Sequence, residues 1–232
     1  MTRRDDVDRL YDLLGRLDGV VGGARTLGDC TGYMDWPTRG VYVFLARDER
    51  RETDGRRRVV RVGTHAVSAG SNTSLWDRLR THRGATRGTY EGGGNHRGSV
   101  FRKRVGEAIV ERDGLHGAYP AWGEGSTAGR ERRLDELPLE RRVSDCLRGL
   151  PFLWLAVDDE PGPDSRRAAI ERNAIALLSN YERDAVDPRP DDWLGAHSRH
   201  QKIRESGLWN VDHVDEDYDP TFLDDLADAV AD

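Results

Sequence analysis

One glutamate of the sequence lies where a charged side chain is unexpected. Glu171 falls within residues 166–181, whose apolar side chains recur at the spacing of a helix. It precedes Ala174, Ile175 and Leu178 by three, four and seven residues, so it shares their core-facing stripe. A carboxylate on such a stripe is costly unless it is paired or binds a metal. The position therefore predicts either a salt bridge to a nearby arginine or a metal ligand.

Two further side chains with useful chemistry, Arg78 and His82, are four residues apart. At that spacing they project from one face of a helix, one turn apart. An arginine and a histidine presented together can bind a phosphate, the arginine through charge-assisted hydrogen bonds. The same spacing also occurs on solvated helix faces, so this pair alone leaves both interpretations open.

The elements that position these residues begin with a helix and a hairpin. Apolar residues at helical spacing predict a helix over 7–21. Residues 40–46 and 59–64 are rich in β-branched and aromatic side chains, which is typical of strands. The polar, arginine-rich segment between them predicts a hairpin with a long basic loop. Tyr42 lies in the first of these strands, where a tyrosine by itself usually indicates packing.

The remaining elements complete the predicted domain. Helices are expected over 75–83 and 100–110, each preceded by a residue that can cap it, while residues 113–140 are expected to be irregular or weakly helical. The continuous apolar run 151–157 predicts a strand that is covered on both faces, and 166–181 predicts the last core helix. We therefore predict an α+β fold in which helices flank a small, mainly antiparallel, three-stranded sheet.

In this order, the motifs resemble those of the GIY-YIG nuclease family. Gly40-Val41-Tyr42 resembles the first family motif, and Arg61-Val62-Gly63 resembles the second, with Arg61 in place of the family's second tyrosine. Residues 75–82, with the pattern L-x-x-R-L-x-x-H, resemble the family's helix, and Glu171 resembles its metal-binding glutamate. The resemblance covers roughly residues 39–181 and rests on the order and spacing of the motifs.

The resemblance implies hydrolysis of phosphodiester bonds with one divalent metal, Mg²⁺ or Mn²⁺. Glu171 would hold the metal, and Tyr42 would act as the general base toward water. Arg78 and Arg61 would stabilise negative charge on the phosphate, and His82 would orient the tyrosine hydroxyl or relay its proton. Additional candidates for the same site are His65 and, as counterparts of an asparagine that often follows the family's glutamate helix, Asn180 and Asn210.

Charge is distributed unevenly along the chain. The formal net charge is −6, yet residues 76–104 hold eight basic and two acidic side chains, a net of +6. Residues 182–232 hold fifteen acidic and five basic side chains, a net of −10. A phosphate-binding surface needs local positive charge rather than a basic protein. The residues predicted to contact nucleic acid are Arg97, Arg102, Lys103 and Arg104.

Together these features predict a Mg²⁺-dependent endonuclease that hydrolyses DNA, in restriction, defence or repair. An RNA-processing nuclease and a binding module that kept the fold without catalysis are the alternatives. The predicted organisation is a helical extension (1–38), a nuclease core (39–181) and an acidic appendage packed on that core (182–232). A homodimer is one way to cut both strands. Without a long apolar run, a signal-like N-terminus or patterned cysteines, the chain is expected to be cytoplasmic and to have no membrane partner.

Overall fold

Four antiparallel strands form the central sheet of the computed structural model, which describes residues 2–231. The strands are β1 (Arg25–Thr26), β2 (Gly40–Arg50), β3 (Arg57–Gly63) and β4 (Pro151–Ala156). Their order across the sheet is β1-β4-β2-β3. The α+β class and the antiparallel sheet are confirmed, but the sheet has four strands rather than the predicted three. The additional strand β1 is two residues long, which is too short to leave a periodic signal in the sequence.

Helices cover both faces of this sheet. Within residues 2–231 they are α1 (Arg3–Val20), α2 (Leu75–Arg83), α3 (Val100–Asp113), α4 (Arg130–Asp135), α5 (Leu137–Arg148), α6 (Arg166–Leu178), α7 (Gln201–Ser206) and α8 (Phe222–Ala231). Serine side chains cap three of them by accepting a backbone N–H of the first turn: Ser74 at α2, Ser99 at α3 and Ser165 at α6. No helix of residues 2–231 is long and apolar enough to cross a membrane.

The hairpin of β2 and β3 extends further than the sequence predicts. Its strands reach Arg50 and Arg57, so the predicted twelve-residue loop shrinks to residues 51–56. Charged side chains occupy this end of the hairpin, so the sequence there lacks the alternation of apolar and polar residues that indicates a strand. Arg58 is nonetheless buried because its guanidinium pairs with Glu49 at 2.6 Å. Paired opposite charges on neighbouring strands thus continue the ladder where apolar alternation ends.

Residues 113–140, expected to be irregular or weakly helical, include the short helix α4 and the first four residues of the amphipathic helix α5. Its buried residues Leu139, Val143 and Leu147 are four residues apart and pack on the sheet. The prediction for residues 113–140 was therefore wrong at its C-terminal end. The helix starts at Leu137 with a proline next in the chain, a position that favours helix initiation.

Strand alternation sends successive side chains of β2 into two different cores. Val41 and Val43 face a core shared with α1, α6 and α8. Tyr42 and Phe44 face a second core shared with α2, α3 and α5. The glutamate on α6 and the tyrosine on β2 therefore belong to opposite faces, and they can approach one another only around the free edge of β3.

Residues from the acidic C-terminal region cover that edge. The backbone N–H of Trp209 donates to the carbonyl of Val60 at 2.8 Å. The side-chain amide of Asn210 donates to the carbonyl of Val62 at 2.9 Å and accepts the Val62 N–H at 3.2 Å. The side chain of Asn210 thus forms the two hydrogen bonds that the backbone of a neighbouring strand would form. The C-terminal region therefore packs on the core as an extension of the sheet.

Candidate active site

A cavity of about 260 Å³ opens beside the outer edge of β3, between the two faces of the sheet. Its walls come from β3 and the following loop, from α2, from the start of α3, from α6 and from residues 209–213, which we call the C-terminal wall. The charged and polar residues that line it are Arg61, Thr64, Arg78, Glu171, Asn210, Asp212 and His213.

Glu171 is fixed to the end of β3. Its Oε1 accepts the backbone N–H of Thr64 at 3.0 Å. Burial raises the pKa of the Glu171 carboxyl, and the charges of Arg61, His213 and Arg78 together with that N–H oppose the rise. Within residues 2–231 Glu171 makes no other hydrogen bond and no salt bridge. Of the two interpretations of this core-facing carboxylate, the salt bridge is not formed, and an oxygen is left for a ligand in the cavity.

Tyr42 and His82 form a fully buried hydrogen-bonded pair. The Tyr42 hydroxyl lies 2.9 Å from Nε2 of His82, and Nδ1 of the same ring lies 2.8 Å from Ser99 Oγ. Burial, followed by the charges of Arg78, Arg61 and Arg102, holds the pKa of His82 well below its ordinary value. The imidazole is therefore neutral, with one nitrogen that donates and one that accepts. A proton can pass between the phenol and Nε2.

Arg78 joins the buried pair to the cavity. The neighbouring Tyr42 hydroxyl, together with the charge of Glu171, raises the pKa of the Arg78 guanidinium. The side chain also lines the cavity, one helical turn before His82. Arg78 thus interacts electrostatically with both the Tyr42 hydroxyl and the Glu171 carboxylate.

Gly63 is required by the position of the Tyr42 ring. The two residues are directly paired across β2 and β3. A Cβ atom at Gly63 would come within 2.6 Å of Cε2 of Tyr42, and closer still to Cζ and the hydroxyl oxygen. The glycine of the second motif therefore makes room for the tyrosine of the first.

We predict that Gly63→Ala lowers the free energy of unfolding by about 1–3 kcal/mol, because the ring has no free space into which to move. Gly19→Ala is the matched control, since a Cβ there meets nothing within 4 Å. Chemical denaturation of the two variants and the wild type measures the difference. Equal stability of Gly63→Ala and the wild type would show that the ring is not confined.

Arg61 lies diagonal to Tyr42 rather than opposite to it. The register places Arg61 across from Phe44, and Tyr42 across from Gly63. The guanidinium donates to the carbonyl of Trp209 at 2.8 Å and lies 4.8 Å from the centre of the Phe101 ring. It lines the cavity, so the arginine at the position of the family's second tyrosine adds positive charge to the site.

The structure separates the other candidates for the site. Asn180 is held away from the cavity lining by Arg3, Val186 and the carbonyl of Asp187, whereas Asn210 lines the cavity. His65 is buried behind the lining, with Nε2 at 3.2 Å from the carbonyl of Thr38 and Nδ1 without a hydrogen-bond partner within residues 2–231.

We predict a pH-dependent loss of stability from His65. Burial is the main reason that its pKa falls from 6.5 to about 4. Above pH 6.5 the ring is neutral in both states. Below it the unfolded chain binds a proton that the folded chain does not bind until about pH 4, so stability falls as the pH falls through this window. The slope is at most about 1.4 kcal/mol per pH unit.

Thermal unfolding between pH 7 and pH 4 measures this effect. His65→Gln should reduce the dependence and leave the share that comes from the buried His82, and the exposed His116→Gln should leave it as in the wild type. A His65→Gln variant as acid-sensitive as the wild type would assign the loss to other groups.

Most of the arginines expected to contact nucleic acid are paired with carboxylates. Arg102 has no exposed surface, because it donates to Glu140 Oε2 at 2.5 Å, to the carbonyl of His82 at 2.8 Å and to Ser144. Arg97 forms a two-pronged pair with Glu136, at 2.6 and 2.7 Å, and Arg104 pairs with Glu107. Lys103 is half-buried. Arg102 is thus a structural link between α2, α3 and α5 and is not presented to a ligand.

Apart from Asn210, the sequence analysis missed the C-terminal wall as part of the site. Asp212 and His213 line the cavity, yet they follow no periodic pattern and lie far from the motifs along the chain. Only the apolar residues scattered through the acidic region 182–232 indicated that this segment packs on the core.

A divalent metal of the Mg²⁺ type fits the donor set around Glu171. Such ions prefer carboxylate oxygens and keep several waters, so one or two protein ligands are enough. The free carboxylate oxygen and the volume of the cavity meet this need. No group of three or more histidine, cysteine, aspartate or glutamate side chains within residues 2–231 is arranged as a metal site.

A comparison with protein-family models matches the GIY-YIG domain over residues 1–232. Comparisons with curated proteins and with solved structures give no match. The family match includes α1 and the C-terminal wall as well as the segments that carry the motifs. It confirms the resemblance stated from the motifs, and it implies a nuclease-like fold. The chain therefore belongs to the GIY-YIG domain family.

Proposed function

We propose that this protein is a metal-dependent endonuclease that hydrolyses phosphodiester bonds of DNA. One observation carries the proposal. Arg78 and Glu171, from α2 and α6, line one cavity, and the buried pair of Tyr42 and His82 lies next to Arg78. A binding module that had lost catalysis would have no need to keep this arrangement.

In this proposal Tyr42 and His82 handle protons. With Nδ1–H donated to Ser99, the lone pair of His82 Nε2 accepts the phenolic proton across 2.9 Å. The Tyr42 oxygen then accepts a proton from the attacking water. When the ester bond breaks, a proton would pass from Tyr42 to the leaving oxygen while His82 returns its proton to Tyr42, so both side chains end in their starting state. Because Tyr42 has no exposed surface while its neighbour Arg78 lines the cavity, a phosphate that draws Arg78 toward itself uncovers the hydroxyl.

The two arginines of the cavity provide the positive charge that phosphoryl chemistry needs. Arg78 and Arg61 would contact the non-bridging oxygens of the scissile phosphate, where negative charge develops. Glu171 would hold a divalent metal, which supplies Lewis-acid stabilisation and an activated water when bound. The ring of His82 is neutral at rest and would be charged only while it holds the phenolic proton, so its role is proton transfer rather than phosphate binding.

The substrate would reach the cavity along α2 and the loop that follows it. Arg80 and Arg87 are exposed there. Val67 and Val100 are also largely exposed, at 42% and 50%, and stand at opposite sides of the cavity. Exposed apolar side chains beside arginines suit the sugar and base edges next to a backbone phosphate. A role in restriction, defence or repair is consistent with such a surface.

The test is incubation of the protein with supercoiled plasmid and, separately, with RNA, each with Mg²⁺, with Mn²⁺ or with a chelator. We expect nicking or linearisation of the plasmid that the chelator abolishes. Cleavage of RNA alone would instead show an RNA-processing nuclease. Binding without cleavage of either polymer would show a module that kept the fold and lost the reaction.

A further inference from the structure

We propose that His213 is a second protein ligand of the divalent metal, together with Glu171, and that Glu216 positions its ring. The proposal rests on the proposed function, since it assigns a role at the same cavity. It goes beyond the motifs, because His213 belongs to the C-terminal wall.

The hydrogen bond of His213 leaves one defined ring nitrogen for a metal. Nδ1 lies 2.9 Å from Oε1 of Glu216, which also pairs with Arg172. An ionised carboxylate only accepts, so Nδ1 carries the hydrogen and Nε2 of the neutral ring keeps its lone pair. A histidine that donates one N–H to a carboxylate and offers its other nitrogen is the usual arrangement around a protein-bound metal.

The location of His213 brings its ring to the cavity of the other proposed ligand. His213 and Glu171 line the same cavity, with Arg61 and Arg78. The hydrogen bond to Glu216 occupies Nδ1, so Nε2 is the ring nitrogen left for a ligand in this cavity.

The backbone holds His213 in a conformation that its side chain alone would not favour. Its φ of 66° lies in the left-handed region, where only three non-glycine residues of 2–231 are found. The chain is anchored on both sides, by the Trp209 N–H on β3 and by Val214, whose carbonyl accepts the hydroxyl of Ser179 at 2.6 Å. Strained residues held between two anchors are common at ligand sites.

An imidazole in the ligand set has a consequence for metal preference. Imidazole nitrogen suits Mn²⁺, Co²⁺ and Ni²⁺ better than Mg²⁺, which prefers oxygen. We therefore expect the protein to bind Mn²⁺ more tightly than Mg²⁺, through one carboxylate oxygen, one imidazole nitrogen and water.

Titration of the full chain with Mn²⁺, followed by electron paramagnetic resonance, tests the proposal without using activity. Pulsed spectra of the bound ion should show coupling to an imidazole nitrogen in the wild type and not in His213→Asn. Asparagine tolerates the left-handed backbone, so this variant removes the ring and keeps the fold. We expect Mn²⁺ affinity to fall about tenfold or more in His213→Asn, and about tenfold in Glu216→Gln.

His116→Asn is the matched control, because His116 also pairs with a glutamate, Glu111 at 3.2 Å, but lies outside the cavity. The Mn²⁺ affinity and the pulsed spectrum of His116→Asn should equal those of the wild type. If Mn²⁺ binding depends on Glu171 but the affinity and nitrogen coupling are unchanged in His213→Asn, this inference is overturned and the metal site stands. If the wild type binds Mn²⁺ no better than Glu171→Ala does, the proposed function itself fails.

Discussion

Glu171→Ala is expected to abolish metal-dependent cleavage of plasmid DNA. In the proposed function this carboxylate, on the core-facing stripe of α6, would be an oxygen ligand of the divalent ion in the cavity. Loss of the metal removes its stabilisation of the transition state and its activation of water, which is worth roughly 4 kcal/mol or about 10³-fold in rate. Rates of plasmid nicking with Mg²⁺ or Mn²⁺ measure the effect.

DNA binding should survive the same substitution. Arg61 and Arg78 keep their charges, and removal of a negative charge between them favours a phosphate. Fluorescence anisotropy with labelled DNA in chelator should therefore give equal or tighter binding. Glu131→Ala, an exposed glutamate on α4, is the matched control and should cleave as the wild type does. Full cleavage by Glu171→Ala would remove this residue from the reaction.

Arg102→Leu is expected to destabilise the fold by about 3–5 kcal/mol, because it leaves the buried carboxylate of Glu140 without its partner. The guanidinium also bonds to the carbonyl of His82, so its loss loosens α2 beneath the proposed active site. The midpoint and slope of urea denaturation measure the change.

Two variants test whether the unpaired buried charge of Glu140 causes the expected loss of stability. Arg112→Leu removes a more exposed pair with Asp113 from the same helix and should change the free energy of unfolding by less than about 1 kcal/mol. The double variant Arg102→Leu, Glu140→Leu should recover part of the loss, since neither charge is then left unpaired. A single Arg102→Leu variant as stable as the wild type would contradict the proposed role.

The sequence was informative where the signal is local. Helical spacing and a serine cap located α2, so Arg78 and His82 could be assigned to one helix. The strand predicted over 40–46 is present as part of β2, and its alternation places Tyr42 in a different core from Val41 and Val43. The stripe on α6 identified Glu171 as a carboxylate that needs a partner.

The parts of the fold and of the candidate site that the sequence did not predict depend on contacts between distant segments. Arg102 is chemically similar to a nucleic-acid-binding arginine, and only its burial against Glu140, 38 residues away, reveals its structural role. Asn210 reaches the cavity because its amide pairs with β3, 148 residues away. No periodic pattern within either segment predicts a contact with a residue so distant in the sequence. Asp212 and His213 of the C-terminal wall, and strand β1, were missed for the same reason.

The coverage of the sheet edges limits how two copies of this chain can meet. On one side Trp209 and Asn210 occupy the hydrogen-bonding groups of β3, and on the other β1 offers only two residues. Short or occupied outer strands prevent pairing between molecules. A homodimer that cuts both strands of a duplex is therefore expected to associate through helical surfaces rather than through a continuous intermolecular sheet.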